Sequence, residues 1–424
     1  GGSGTAVTLA CGATQTGFGR TGTVDWQTSI KTAATFVAAN GEGYFVDTSS
    51  NAITATLPAG TAGSIVAFRD YANTFDTANL TISANGSQKI NGDATLDLTV
   101  STEGESLTLV YADDTKGWLV VNDGNNDAGS QAEFVNATGG TISTVCTNFR
   151  VHTFTGPGTF VVCNVGNPGG SNTISYTVVA GGAGGGYGGG AGGGGAGGFR
   201  ESKSPTCTYT QSPLSATGGL PVTATSYPVV VGGGGSAATT PPARGTDGTN
   251  SVFTGSTTIT SAGGGGGGSA ACAAQPGQCG GSGGGASGHT DPASAGGNGN
   301  TPPVSPPQGT NGGAAPCGMC GTGCRYGGGG GGGATVAGTN ASVPPSAIVG
   351  GPGGTGATTS INGTPTAFAG GGGGAIQACV SGGNAKGTGG TGGGGTGGAK
   401  PSIAGTNGTT NTGGGGGGAN AVPG

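Results

Sequence analysis

The chain has 424 residues, of which 108 are Gly, with 7% charged and 5% aromatic residues, against roughly 25% charged and about 7% Gly in an ordinary soluble domain. Residues 1–165 hold 21 Gly, 6 Lys+Arg and 14 Asp+Glu; residues 166–424 hold the other 87 Gly with 6 cations and 3 acids, giving −8 and +3 and the net −5. A second half so poor in apolar side chains argues against an enzyme with one large packed core. Its scattered cations offer no basic patch for nucleic acid, and no apolar run reaches the roughly 20 residues that span a bilayer.

Residues 1–22 read as an extended leader and residues 23–125 as a small β domain. A short helix is predicted over Trp26–Ala39, N-capped by Asp25. Strands follow at Gly43–Asp47, Ala52–Leu57, Ser64–Phe68, Leu80–Ser83, Ser106–Tyr111 and Gly117–Val121. Each is alternating or β-branched and bounded by turn residues. Their spacing predicts an antiparallel sandwich or barrel. Residues 126–180 form a β-hairpin connector, in which Phe149–Phe154 and Thr159–Cys163 flank Thr155-Gly-Pro-Gly158, a hairpin signal. A further strand over Thr173–Val179 runs straight into Gly181.

Residues 181–424 carry glycine runs at 192–195, 232–235, 263–268, 327–333, 370–374, 392–395 and 413–418. Several follow a short β-like lead, such as Val229–Val231, Thr257–Thr260 or Thr366–Phe368. The runs recur at unequal spacing, as expected of segments that return to one bundle through loops of different length. Flexible linker and glycine-rich β structure are the competing readings. Polyglycine in the polyproline-II geometry has three residues per turn and no internal hydrogen bonds, so its N–H and C=O groups point outward. Copies with glycine on all three faces can bond laterally. The predicted architecture is therefore a mainly β N-terminal region followed by a polyglycine-II-type bundle with long loops. The strict Gly-X-Y period of collagen is absent.

Ten cysteines in a chain with little core suggest disulfides and an oxidising compartment, with free thiols and zinc as alternatives. Local pairs are expected at Cys146–Cys163 and Cys272–Cys279. At least one of Cys317, Cys320 and Cys324 is expected to reach Cys207 or Cys379. Zinc lacks a second ligand pair, since His152 and His289 are distant and no second CxxC exists; no metal and no cofactor is expected.

No catalytic constellation stands out. His289-Thr-Asp291 has no accompanying nucleophile motif, and Asp113-Asp114 reads as a turn. Binding suits the chain better. Arg200, Tyr209, His289, Arg325 and Tyr326 are rare large side chains in the glycine-rich half, where a rigid frame presents such residues for recognition.

Two segments carry a resemblance. Trp26 with Gly43-Tyr-Phe-Val-Asp-Thr-Ser49, Thr54-Ala-Thr-Leu-Pro58, Arg69-Asp-Tyr-Ala-Asn-Thr-Phe75 and Lys116-Gly-Trp-Leu119 resembles a β domain of marine tailed-phage tail-fibre proteins. Val151-His-Thr-Phe-Thr-Gly-Pro-Gly-Thr-Phe160 followed by Tyr176-Thr-Val-Val-Ala-Gly-Gly182 is similar to the entrance of the glycine-rich domain of phage fibres and adhesins. The glycine runs resemble those of polyglycine-sandwich tip adhesins. The resemblance implies a non-enzymatic virion fibre or adhesin, a likewise expected homo-oligomer with other fibre or virion subunits. Its bundle would be a stand and its loops would contact a host-surface glycan or protein receptor. A secreted protein polymerising into an extracellular filament is the alternative.

Overall fold

The computed structural model describes residues 24–123, 134–146, 148–166, 170–240, 242–255, 257–270, 275–288, 292–317, 325–344, 347–378, 383–399 and 403–419. The expected leader 1–22, and Cys11, Cys272, His289, Cys320, Cys324 and Cys379, lie outside them. Every regular element among the described residues is a strand. The chain forms two compact units, one reaching residue 134 and including 166–171, the other made of 135–165 and 172 onward.

The first unit is a two-sheet sandwich. Strands β1 (Asp25–Lys31), β3 (Glu42–Val46), β5 (Ile65–Asp70), β8 (Ser106–Asp113) and β9 (Gly117–Asp123) form one sheet in that order. Strands β2 (Thr35–Val37), β4 (Ile53–Thr56), β6 (Leu80–Ser83) and β7 (Leu98–Val100) form the other. The expected strands are present, but the expected helix over 26–39 is replaced by β1 and β2. Pairing outside the local segment decides this, because β1 lies parallel to β3 and β2 parallel to β4. The sheets are mixed, not antiparallel throughout. From β1 to β6 the chain alternates between sheets, so neighbours within a sheet run the same way, and antiparallel pairing begins with β7, β8 and β9. Alternation on β4, β6 and β8 sends Ile53, Leu80, Leu107 and their partners inward around Tyr44, Phe68 and Trp118.

The second unit begins with β10 (Asn136–Thr138), β11 (Thr141–Val145), β12 (Phe149–Thr153) and β13 (Gly158–Asn164). The hairpin expected across Thr155–Gly158 does not form. β12 pairs with β11, whereas β13 pairs with β10 and with Ser226–Val230. Cys146 therefore sits in the β11–β12 turn at φ +49° while Cys163 lies in a different sheet. Both are free and exposed thiols, which corrects the expected Cys146–Cys163 disulfide. Cys279 and Cys207 are also free thiols, so neither the Cys272–Cys279 bond nor a bond from Cys317, Cys320 or Cys324 to Cys207 is present. Backbone pairing brings other groups to these cysteines: Asn298 N–H donates to Cys279 Sγ, and Ser175 Oγ–H to Cys207 Sγ.

Beyond residue 180 the glycine runs are almost free of regular strand and bond as polyglycine II requires. Along residues 192–198 successive N–H groups donate to three different segments in rotation. Gly192, Gly195 and Gly198 donate to the carbonyls of Gly268, Gly265 and Ala262; Gly193 and Ala196 to Gly329 and Gly332; Gly194 and Gly197 to Gly416 and Gly413. Carbonyls of the same run accept from three more segments. Gly192, Gly195 and Gly198 accept from Gly186, Ala183 and Ala180; Gly193 and Ala196 from Gly285 and Ser282; Ala191 and Gly194 from Ala375 and Gly372. The period of three matches a helix with three residues per turn, and six neighbours make a hexagonal lattice. The runs 281–288, 328–333 and 370–375 are enclosed by six neighbours in the same way. This core is held by backbone groups that must be paired when buried.

Candidate functional site

The lattice position of a segment dictates its sequence. In the enclosed run 328–333 every residue is Gly, and a Cβ at Gly328, Gly331 or Gly332 would overlap a carbonyl oxygen of Ala191, Gly194 or Thr310. Runs with four neighbours admit a side chain at one position in three, as in Gly350-Gly-Pro-Gly-Gly-Thr-Gly356 and Gly394-Gly-Thr-Gly-Gly398. Outermost runs with two or three neighbours admit two in three. They read Gly245-Thr-Asp-Gly-Thr-Asn250, Gly338-Thr-Asn340 and Gly405-Thr-Asn-Gly-Thr-Thr410. In each the Gly faces the bundle while Thr and Asn or Asp are exposed.

These outer side chains also close the lattice. Asp247 Oδ1 accepts the Gly266 N–H at 2.8 Å and Asn250 Oδ1 the Gly263 N–H at 2.9 Å, three residues apart on both runs. Thr246 Oγ1 accepts Ser236 N–H, Thr249 Oγ1 accepts Gly233 N–H, Thr406 Oγ1 accepts Thr396 N–H and Asn340 Oδ1 accepts Ala314 N–H. The edge triplets thus form ordered polar edges on outer runs that share no bonding partner, with side chains pinned at Thr246, Asp247, Thr249, Asn250, Asn340 and Thr406. The recurring Gly-Thr-Asn in the sequence is the signal that sequence reading passed over.

A second ordered surface is the loop 300–308. Asn300, at φ +50°, receives the Val304 and Gln308 N–H groups on Oδ1, at 3.1 and 3.2 Å. Gln308 donates from Nε2 to Pro302 O and accepts the Ala262 N–H on Oε1. The prolines between them are largely exposed, so a stiff loop is tied to the bundle by the Asn300 and Thr301 N–H groups, which donate to the Gly281 and Gly280 carbonyls, and by the buried Gln308.

The expected contact residues separate into two groups. Arg200 and Tyr209 lie where the 190–199 run ends in the strand Phe199–Lys203. Lys203 Nζ sits 5.5 Å from the Tyr209 ring centroid. The Tyr209 hydroxyl approaches Ser175 and Glu201 without hydrogen-bond geometry to either. Burial, and then the Glu201 charge, push its pKa well up. Glu201 is buried and accepts from Ser212 N–H and Thr359 Oγ1–H at 2.9 and 2.6 Å. Arg325 and Tyr326 lie at the opposite end of the same run, where Tyr326 approaches Gly190. Ten residues at about 3.1 Å each separate Gly190 from Arg200 by about 31 Å, so the two groups are not one site. Tyr326 is only 7% exposed and paired with Gln377 in a short two-stranded sheet. Arg325 donates from Nη1 to Pro344 O at 3.2 Å. His152 ring Nδ1 lies 2.8 Å from Gly139 O and its ring meets Phe160 edge-on. Among the described residues no group of three or more His, Cys, Asp or Glu is placed to hold a metal.

Comparison with curated proteins found no match. A family model described as a glycine-rich domain matches residues 153–424, well over half of the sequence, and the chain belongs to that glycine-rich domain family.

Proposed function

We propose that this protein is a non-enzymatic fibre or adhesin component of a virion or extracellular surface, whose glycine-rich unit is a rigid stand for host recognition. The observation that carries the reading is the polar surface of the outer runs, most of whose side chains are pinned. Backbone lattice bonds fix the outer runs, and these hold Thr246, Asp247, Thr249, Asn250, Thr406 and Asn407 in exposed positions at a three-residue repeat. Such a surface costs little side-chain ordering on binding and supplies hydroxyl and amide groups suited to a surface glycan. The stiff 300–308 loop extends the contact area at the end of the bundle. Assembly with other fibre subunits as a homo-oligomer belongs to the same reading.

The test is binding of the purified chain to a panel of surface polysaccharides and to intact cells. Retained binding by a quadruple Thr246, Thr249, Thr406 and Asn407 to Ala variant that stays folded would remove this surface from recognition. Absence of any cell-surface binding, with filament growth instead, would replace the adhesin reading by a polymerising one.

A further inference from the structure

The hexagonal lattice leaves one concave position open among the described residues. The runs 180–186 and 413–419 are adjacent and parallel, joined by Gly416 and Ala419 N–H groups donating to Ala183 and Gly186 carbonyls. On their inner side both contact the run 190–199. On their outer side the run 232–238 rests on the first, through Gly235 and Ala238 N–H to Gly182 and Gly185 carbonyls. The run 403–409 rests on the second, through Gly417 N–H to Thr406 O. These four runs are four of the six neighbours of a single lattice position, which opens outward on its remaining two sides.

Following the three-residue rotation around each run identifies the groups that face it. They are the N–H groups of Gly182 and Gly185, the carbonyls of Gly414 and Gly417, the N–H groups of Gly405 and Gly408, and the carbonyls of Gly232 and Gly235. None of these eight makes a hydrogen bond to a described residue, although on the two inner runs, 181–186 and 415–419, the backbone groups of the other rows are paired; the outer runs 232–238 and 403–409 also carry unpaired groups on their solvent side. Around the groove the order is acceptor, donor, acceptor, donor. A polyglycine-II segment presents N–H and C=O in alternation around its axis, which is the complement of that order.

Steric evidence agrees independently. A Cβ on most lattice-facing glycines would overlap a neighbour's backbone, but one on Gly416 would meet nothing nearer than Gly185 N at 3.4 Å. One on Gly234 would find Gly182 O at 3.5 Å. Both lie on runs that border the open position.

We propose that this groove binds an extended glycine-rich segment of another protein chain, adding it to the bundle as one more polyglycine-II run. The interaction parallels strand addition to a sheet edge, with main-chain bonds giving affinity and sterics giving selectivity. A position with four neighbours tolerates a side chain at one residue in three, as residues 350–356 show, so the partner segment must be Gly in two of every three positions. The runs of that pattern described here are already within the bundle, which points to a segment from outside it.

The experiment uses the full chain and two fluorescein-labelled peptides, (Gly-Gly-Ser)4 and (Gly-Thr-Ser)4, followed by fluorescence polarisation. Saturable binding of the first, at least tenfold tighter than the second, is expected. Gly416→Leu should plug the groove and abolish binding with an unchanged unfolding midpoint, and Gly234→Leu provides a second plug should the first impair folding. Equal binding of both peptides, no binding into the millimolar range, or binding indifferent to both plugs would overturn the proposal. Self-association that Gly416→Leu removes would also overturn it, by making a second copy of the chain the occupant.

Discussion

Gly331 and Gly194 face each other so closely that a Cβ on Gly331 would overlap the Gly194 carbonyl oxygen. Both runs are enclosed by backbone that cannot swing aside, unlike a flexible side chain. Overpacking in an ordinary core costs about 1–3 kcal/mol and occasionally more; Gly331→Val is expected at or above the top of that range. Gly266→Val, which meets the Gly245 carbonyl, should behave alike. Gly234→Ala has room and should gain about 0.4–1 kcal/mol by restricting the unfolded chain. Urea titration of the three variants separates these outcomes; similar midpoints would refute the lattice sterics.

The caps at Asp247 and Asn250 make a second prediction. Asn250→Ala strips the acceptor from the Gly263 N–H and Asp247→Ala that from the Gly266 N–H, both on buried glycines. A buried donor left unsatisfied costs about 1–3 kcal/mol, so each variant should lose that much stability in chemical denaturation. A change below 0.5 kcal/mol, an order-of-magnitude threshold, would mean that water replaces the cap.

Alkaline pH should destabilise the protein. Burial, reinforced by the hydrogen bond to Glu42, pushes Tyr44 up to about 12, and burial raises Tyr176 and Tyr209 as well. Unfolded phenols lose their protons near the usual value of about 10. Above that pH the unfolded state binds fewer protons than the native one, so stability falls as pH rises; below it this contribution is fully present. Denaturant midpoints at pH 8, 10 and 11 should decline between the last two, and absorbance at 295 nm should show late-ionising tyrosines.

Thiol reactivity checks the cysteine assignment. Cys146, Cys163 and Cys279 are exposed and free, so each should be alkylated in the native protein without reductant. Peptide mass spectrometry that recovers Cys146 linked to Cys163 would contradict the observed strand pairing.

Much of the fold was legible in the sequence, for local reasons. Leu80–Ser83 is a strand in both readings, because alternating apolar residues bounded by turns leave little choice. The Val229–Val231 and Thr366–Phe368 leads are at the ends of strands that deliver chain into the bundle. Trp26–Ala39 misled because each of its two strands pairs with a partner outside the segment, β1 with Glu42–Val46 and β2 with Ile53–Thr56, skipping the strand between. The Thr155-Gly-Pro-Gly158 turn misled because β12 found its partner upstream. Arg325 and Arg200 looked alike as rare cations, and only the length of the 190–199 run separates them. The neighbour count that sets one, two or three glycine rows was present as Gly-Thr-Asn and Gly-Gly-X triplets, but its meaning depends on knowing the lattice.

Successive amides of one run bond to different segments in rotation. Through-hydrogen-bond NMR correlation between amide nitrogens and acceptor carbonyl carbons reads this directly. The expected spectrum joins Gly192 N to Gly268 C′, Gly193 N to Gly329 C′ and Gly194 N to Gly416 C′, then returns at Gly195 to Gly265 C′. Correlations from alternate residues to a single neighbouring segment, as in a β-sheet, would contradict the account.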